Sequence, residues 1–352
     1  MTPADYRRIL LVRLASFGDV VRITGFPGAL RTACPKAEIV VVTDRSLAPL
    51  FDNAPGVDRL IAHGGAPRLV GVWREARRQL SKLRKDGGFD LAVDLQGIRA
   101  SAAWIYASGA RLMVGRGGFR PGWRFAVVPN YRVSDVAESA AIFERLAIPI
   151  ADPSPSLSIR PADDERLEAR LRHEGLPAAG FLIVNPFSRW ASKAWPSERF
   201  ARLLPRLHGD FGLSLIITGG PAEADMATRL LGQLPPRTAV SLAGRLTLGE
   251  LICLLRRARL VLTGDSGPMH AAAAVGTPVV ALFGPTWPDR AGPWGRGHLV
   301  LQRWRSENYH AFHEPASAAG MAAIEVEEVY AAIAAQLDAG GRNALWQGAG
   351  MR

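Results

Sequence analysis

The strongest constraint on the fold is a repeated alternation of short apolar runs with amphipathic segments. Seven runs predict strands: 7–14, 37–44, 90–97, 181–188, 213–220, 258–267 and 277–284. Between them lie helical patterns such as the basic segment 74–88 and the segment 18–35, where Pro27 predicts a kink. Such alternation is typical of doubly wound parallel sheets. The sequence therefore predicts an α/β protein with two Rossmann-like domains facing each other across a cleft.

A proline-rich stretch separates the two halves of this pattern. IPIADPSPSLSIRP (148–161) contains four prolines and little helical periodicity, which favours a linker. The predicted domains are residues 1–155 and 156–336, followed by a flexible tail at 337–352. In such sheets ligands bind outside the carboxyl ends of the strands, so site residues are expected there.

Composition narrows the classes of protein that this chain can belong to. No apolar stretch reaches the roughly 20 residues of a membrane span or the core of a signal peptide. The two cysteines, Cys34 and Cys253, are too few for a disulfide framework, which favours a reducing cytoplasmic setting. Gly-x-Gly-x-x-Gly and Walker motifs are both missing from the strand-to-helix turns, which disfavours a nicotinamide, flavin or P-loop protein.

The net charge of +11 is concentrated in the first half. Residues 1–160 hold 23 Lys and Arg against 14 Asp and Glu, and the remainder holds 20 against 18. Nucleic acid, an anionic membrane surface or an anionic substrate would each fit this charge. Solvated arginines from a GC-rich genome would also account for it.

Asp19 is the first candidate at a strand end. VRLASFGDVV (12–21) runs from a strand into a glycine turn and places this carboxylate at a helix start. Aspartate is a favoured N-cap residue, so a purely structural role is open. A carboxylate at the open edge of a domain could instead accept a proton.

Three strand ends in the second half carry groups suited to a nucleotide. Ser188 and Lys193 precede a helix and could clamp a phosphate, and Glu223 could accept a hydrogen bond from a ribose hydroxyl. The structural alternatives are that Lys193 is an ordinary surface lysine and that Glu223 is an acid placed favourably at the positive end of a helix.

TGDSGPMHAAAAVGTP (263–278) is the richest of these segments. The backbone amides of Ser266 and Gly267 could face an anion at the helix start, and Asp265 could hold sugar hydroxyls. His270 could contact a ligand or support its own loop.

Basic residues of the first half predict an anionic partner. DLQGIRAS (94–101) supplies Gln96 and Arg99, and a Gly-rich turn adds Arg116 and Arg120. We interpret this basic loop as the first domain's contact with an anionic partner.

Together these segments resemble the ADP-heptose:lipopolysaccharide heptosyltransferases, glycosyltransferase family 9. The resemblance rests on ILLVRLASFGDVVRITGF, DLQGIRAS, NPFSRWASKAWPSERF and TGDSGPMHAAAAVGTPVVALFGPT, in that order and spacing. It covers about residues 7–336. It implies an inverting GT-B enzyme that transfers a heptose from ADP-heptose to the inner core of lipopolysaccharide without a catalytic metal.

The resemblance also implies a role for each site residue. Asp19 would be the general base, Ser188 and Lys193 would contact the diphosphate, and Glu223 would hold the ribose. The remaining donor residues would be Leu246 near adenine, Asp265 on the sugar, and Ser266, Gly267 and His270 around the phosphates. Gln96, Arg99, Arg116 and Arg120 would bind the acceptor. The implied location is the cytoplasm, with peripheral contact to the inner membrane.

Other hypotheses remain open from the sequence. Another nucleotide sugar could serve as donor for a different surface glycan, or the chain could bind sugar nucleotides without catalysis. An oxidoreductase or a nucleic-acid-binding protein fits the strand-end motifs less well.

Overall fold

The structure, a computed structural model, describes residues 2–65, 68–117, 121–127, 133–314 and 318–347. Contacts divide the chain into two compact units between Ser158 and Ile159. Within the described residues, no helix is long and apolar enough to cross a membrane.

The first unit is a parallel sheet with helices on its connections. Its strands are β1 Arg8–Val12, β2 Glu38–Asp44, β3 Arg59–His63, β4 Leu91–Asp94, β5 Leu112–Arg116 and β6 Phe125–Val127. Its helices are α1 Phe17–Val21, α2 Phe26–Ala33, α3 Leu69–Lys85, α4 Arg99–Ser108 and α5 Asp135–Glu144. The strand order is β3-β2-β1-β4-β5-β6, which is that of a Rossmann-like sheet.

The second unit repeats this topology. Its strands are β7 Leu182–Asn185, β8 Leu215–Ile217, β9 Ala239–Ser241, β10 Leu260–Gly264, β11 Val279–Phe283 and β12 Leu299–Gln302, in the order β12-β11-β10-β7-β8-β9. Its helices are α6 Pro161–His173, α7 Ser197–Phe211, α8 Ala224–Leu231, α9 Leu248–Arg257, α10 Gly267–Ala274, α11 Pro288–Ala291, α12 Ala319–Ala322 and α13 Val326–Gln347. The predicted α/β class with two Rossmann-like sheets is confirmed.

Apolar side chains of the helices cover each sheet. The central strands, which have parallel neighbours on both sides, are therefore buried on both faces. In the first unit Trp104 of α4 is fully buried against β1, β2 and β4. In the second, side chains of α7 and α13 pack on β7, β8 and β10. The central strands are therefore packed by apolar side chains, and their carboxyl ends lie at one edge of each parallel sheet.

Some predicted boundaries differ from the structure. The segment 18–35 is two helices, and the break lies before Pro27, which occupies the first turn of α2, where a missing N–H costs nothing. A Cβ on Gly25 would lie 2.0 Å from the carbonyl oxygen of Ser154, so only glycine fits at this position. Strands β3, β5, β6, β9 and β12 were not predicted. The predicted tail begins within α13, which extends to Gln347.

Close packing of β5 on β4 yields a stability prediction. A Cβ on Gly115 would lie 2.6 Å from Cβ of Asp94 and 2.8 Å from the Trp123 ring. Gly115→Ala should therefore lower the free energy of unfolding by about 1–3 kcal/mol, measured by thermal or urea unfolding. Gly209→Ala is the control, because Gly209 lies in α7 with no atom near the added methyl. It should instead be neutral or stabilising by up to about 1 kcal/mol. Equal stability of the two variants would contradict the packing argument.

Candidate active site

Asp19 lies at the switch point of the first sheet. Strand β1 pairs with β2 on one side and β4 on the other, and the loop after β1 leads into α1. Ser16, not Asp19, is the N-cap of α1, and Asp19 is its partner three residues later. The Ser16 amide and hydroxyl each donate to Oδ2 of Asp19 at 3.0 Å. The capping geometry therefore fixes this carboxylate at the edge where ligands of such sheets bind.

Two arginines hold the other oxygen of Asp19. Nη2 of Arg13, at the end of β1, lies 3.2 Å from Oδ1, and Arg22 of the α1–α2 turn contacts the same oxygen. Arg13 is buried, whereas 30% of the Asp19 side chain is exposed. Asp19 is thus the accessible end of an otherwise buried set of charges.

The buried set continues through Asp135 at the start of α5. Its carboxylate lies 3.4 Å from Arg13 and 3.8 Å from Arg22, and it also pairs with Arg116. Arg116 in turn lies 3.1 Å from Glu138. Three guanidinium groups and three carboxylates balance in this network, which offsets the large cost of burying each charge.

The network sets the protonation state of its two aspartates. Burial by itself would raise the pKa of Asp19, but Arg13, Arg22 and the Ser16 hydrogen bonds outweigh it and hold this pKa far below its usual range. The pKa of Asp135 is likewise well below its usual range, because three arginines overcome burial. Asp19 is therefore ionised and able to accept a proton, but it is a weak base in this state.

Gln96 supports the loop that carries Asp19. Its Oε1 accepts hydrogen bonds from the amides of Leu14 at 2.7 Å and Ala15 at 3.3 Å. Asp94 in turn accepts from the amides of Gln96 and Gly97, both at 2.9 Å. The DLQG segment is thus a brace between the ends of β4 and β1, and acceptor binding by Gln96 stays a prediction.

The predicted acceptor arginines are placed in different surroundings. Arg99 is exposed at the start of α4 and makes no ion pair within the described ranges. Arg116 ends strand β5 and is buried in the ion network, whereas the sequence suggested a loop position. Arg120 lies outside the described residues. Contact of these arginines with an acceptor stays a prediction.

Lys193 and Asp265 meet at the switch point of the second sheet. Strand β7 lies between β8 and β10, and the chain after β7 reaches a short 3-10 turn, Ala191–Lys193. Nζ of Lys193 lies 2.7 Å from Oδ2 of Asp265, which follows β10. The Thr286 hydroxyl donates to the same oxygen at 2.8 Å. Burial would raise the pKa of Asp265, but Lys193, His270 and Thr286 hold it below its usual value.

Close backbone approach positions Lys193. A Cβ on Gly264 would lie 3.2 Å from the Lys193 carbonyl oxygen, and one on Gly284 would lie 2.9 Å from that of Ser192. The glycines at the ends of β10 and β11 therefore let the Lys193 turn lie directly against the sheet edge. Trp195, two residues on, is buried and donates from Nε1 to the Ile324 carbonyl at 2.9 Å, which anchors the following chain.

An aromatic segment that the sequence did not assign a role packs beside Lys193. The 3-10 turn Tyr309–His313 places Phe312 with its ring centre 4.3 Å from Nζ of Lys193. The Ser192 hydroxyl donates to the Phe312 carbonyl at 2.5 Å, and Trp190 stacks edge-on with His313 at 4.3 Å. This segment therefore forms a wall of the Lys193 site. Its sequence offered no periodic signal by which to find it.

The other predicted donor residues lie around the same sheet edge. Ser266 is the N-cap of α10, Gly267 is its first residue, and His270 is buried in its first turn. Ser188 accepts from the Trp190 amide at 3.3 Å, and Glu223 accepts from the Gly220 amide. Leu246 is half-buried after β9. The structure thus fixes these positions, and their roles toward a donor stay predictions.

A metal site is not formed by the described side chains. Within that part of the chain, no group of three or more His, Cys, Asp or Glu residues is arranged to hold a metal ion.

Comparison with known proteins identifies the family. The model of glycosyltransferase family 9 (heptosyltransferase) matches residues 77–321. The chain belongs to glycosyltransferase family 9. It is a glycosyltransferase, as the sequence predicted, and the matched range includes Lys193 and Asp265.

Individual relatives match this chain over most of their length. Lipopolysaccharide heptosyltransferase 3 of Escherichia coli is 26% identical over 82% of this chain and 86% of that protein. Lipopolysaccharide heptosyltransferase 1 of Pseudomonas aeruginosa is 27% identical over 84% of this chain and 83% of that protein. The crystal structure of a family 9 glycosyltransferase from Veillonella parvula superposes with a TM-score of 0.84 at 25% identity, over 96% of this chain and 98% of that one.

The ion network of the first unit gives a prediction about stability and pH. Asp135→Asn should lower the free energy of unfolding by about 3–5 kcal/mol at pH 7, because three arginines lose a buried anion. A carboxylate with a lowered folded-state pKa stabilises above its unfolded pKa of about 3.9 and loses this effect as pH falls through the folded value. The difference between wild type and variant should therefore shrink below about pH 4.

Urea unfolding at several pH values measures this difference. Asp86→Asn is the matched control, since Asp86 is exposed in the same unit and its carboxylate has no partner among the described residues. A stability difference that does not change with pH would show that Asp135 acts by shape and not by charge.

Proposed function

We propose that this family 9 glycosyltransferase moves a heptose from ADP-heptose to the inner core of lipopolysaccharide, with inversion at the anomeric carbon. The observation that carries the proposal is that each Rossmann-like unit holds a charged group of the required kind at its switch point. Asp19 supplies a carboxylate in the first unit, and Lys193 with Asp265 supplies a partly buried ion pair in the second. Relatives named heptosyltransferases 1, 2 and 3 share heptose as the transferred sugar.

Lys193 would stabilise the departing diphosphate. An ammonium has three N–H donors, so its bond to Asp265 leaves two for phosphate oxygens. The amides of Ser266 and Gly267 at the start of α10 would add fixed positive dipoles. As the bond between the heptose C1 and the phosphate oxygen breaks, negative charge grows on ADP, and these groups stabilise it without a metal.

Other second-unit residues would hold the rest of the donor. Glu223 would accept from the ribose, Leu246 would contact adenine, and Ser188 and His270 would line the phosphate site. The free oxygen of Asp265 would bind a heptose hydroxyl. Because its other oxygen is fixed by Lys193 and Thr286, the sugar and the diphosphate would be aligned by one carboxylate.

Asp19 would accept the proton of the acceptor hydroxyl as the new C1–O bond forms. Four donors already occupy its two oxygens, two from Ser16 and one each from Arg13 and Arg22. A carboxylate has about four lone-pair sites, so the acceptor must displace one donor. The Ser16 hydroxyl can rotate away at least cost. Loss of that hydrogen bond raises the pKa of Asp19 and makes it a better base at the moment of binding.

The acceptor would be an anionic, lipid-linked saccharide. Arg99 and Arg120 would contact its acidic groups, while Gln96 and Arg116 would hold the Asp19 loop and network in place. The excess of positive charge in residues 1–160 fits such an acceptor on the cytoplasmic face of the inner membrane.

Removal of the base tests the proposed chemistry. Asp19→Asn should reduce kcat for heptose transfer by about 10²–10⁴-fold, because proton acceptance is lost. Binding of ADP-heptose, measured by calorimetry, should change little. Ser16→Ala should cost less than about tenfold if the serine hydroxyl is the donor that the acceptor displaces. Normal turnover of Asp19→Asn would exclude Asp19 as the base.

Removal of the cation tests the donor site. Lys193→Ala should weaken ADP-heptose binding by about tenfold or more, since a charge-assisted hydrogen bond contributes about 1.5–3 kcal/mol. Lys193→Arg should recover part of the affinity because it keeps the charge. Arg202→Ala, at an exposed position on α7, is the control. Unchanged affinity in folded Lys193→Ala would contradict the role of the lysine.

One assay separates this function from its alternatives. ADP-heptose and a panel of other nucleotide sugars are each supplied with defined truncated lipopolysaccharides in the presence of EDTA, and the product mass is read. Transfer only from another donor would indicate a different glycan, and ligand binding without ADP release would indicate a non-catalytic protein.

A further inference from the structure

Helix α3 has one face that the fold leaves exposed and strongly basic. Its buried face, Val72, Ala76, Leu80 and Leu83, packs into the core of the first unit. The opposite side exposes six cations, which we call the basic face: Arg74, Arg77, Arg78, Lys82, Arg84 and Lys85. The helix is about 25 Å long, so these charges cover an extended strip of surface.

The charges of the basic face are not neutralised within the protein. None of the six forms an ion pair with another residue in the described ranges. The helix has one acidic residue, Glu75, and its carboxylate is already bonded to His63 at 2.7 Å and to the Gly64 amide at 2.7 Å. A strip of unpaired cations carries an unbalanced positive potential and would attract a polyanionic surface.

The first turn of the same helix exposes apolar side chains. Leu69 is 49% exposed and Val70 is 61% exposed, and we call this pair the apolar tip. Trp73, one turn on, is half-buried, with the Arg77 guanidinium 5.8 Å from its ring centre. Apolar side chains exposed beside unpaired cations can combine insertion among lipid head groups with electrostatic attraction to anionic lipids.

The apolar tip is at the edge of the sheet where the acceptor would bind. Strand β3 ends at His63, and α3 begins at Leu69. Because β1, β2 and β3 are parallel, that end of β3 lies on the same edge as the loop carrying Asp19. A lipid surface in contact with the apolar tip would therefore face the edge that carries the proposed base.

We propose that α3 docks the protein on an anionic phospholipid surface, with the basic face against the head groups and the apolar tip inserted among them. This extends the proposed function, whose acceptor is lipid-linked. A nucleic acid would also attract the basic face, but its phosphates offer nothing to the apolar tip. The lipid surface satisfies both features.

Vesicle flotation tests the docking. Wild type should bind vesicles of phosphatidylcholine with phosphatidylglycerol and should not bind phosphatidylcholine alone, and binding should weaken as salt rises. The triple variant Arg74→Gln/Arg77→Gln/Arg78→Gln should bind about a hundredfold more weakly, since each basic residue near the surface contributes about fivefold. Leu69→Ser/Val70→Ser should bind about tenfold more weakly.

Matched controls keep the result specific to α3. Arg202→Gln/Arg229→Gln/Arg256→Gln removes three exposed arginines of the second unit and should leave binding unchanged. All variants should keep the wild-type melting temperature and should transfer heptose normally to a water-soluble acceptor. Failure of wild type to bind anionic vesicles would overturn the proposal, as would equal binding by both triple variants.

Other outcomes would assign a different role to α3 or would separate the docking from the proposed function. Binding to duplex DNA in place of vesicles would make α3 a nucleic-acid surface. Loss of transfer to the soluble acceptor in the α3 triple variant would make the basic face part of the acceptor site. Vesicle binding by a wild type that transfers no heptose would leave the docking intact and refute only the proposed function.

Discussion

Parallel pairing of β1 and β7 with both of their neighbours is the constraint on which the rest of the molecule depends. A parallel strand needs a long crossover to reach its neighbour, so the chain leaves each carboxyl end through a loop into a helix. The connections that follow β1 and β4 leave in opposite directions, as do those that follow β7 and β10, and such a reversal of strand order is where ligands of these sheets bind. Asp19 lies in the helix that follows β1, while Lys193 and Asp265 come after β7 and β10.

The charged side chains at the two switch points are neutralised by different sets of partners. In the second unit a single lysine–aspartate pair is completed by Thr286 and the ring of Phe312. In the first unit Asp19 belongs to a network that links the ends of β1 and β5 to α5. This network ties a partly exposed carboxylate to the buried framework, so the position and the protonation state of Asp19 depend on buried residues far from it in the chain.

Much of the fold could be predicted from the sequence because central parallel strands are continuous apolar runs. The edge strands β3, β9 and β12 were missed. An edge strand pairs with a neighbour on one side only, and its residues are less uniformly apolar than those of a central strand. Arg116 was assigned to a loop because Gly115 and Gly117 flank it, yet Gly115 is needed for close packing of β5 on Asp94. Glycine marks a turn and a tight strand contact equally well, and sequence alone does not separate them.

The sequence by itself determined the α/β class, the two Rossmann-like sheets, the family and the strand ends that carry Asp19, Lys193 and Asp265. Those features depend on local periodicity and on motifs whose residues are near neighbours in the chain. Only the tertiary structure decided that Asp135 and Glu138 balance Arg13, Arg22 and Arg116, and that Phe312 packs on Lys193. These partners are more than 100 positions apart in several cases, as for Arg13 and Asp135. Ion pairs between residues so far apart produce no periodic pattern in the sequence, because they form only where the fold brings strand ends together.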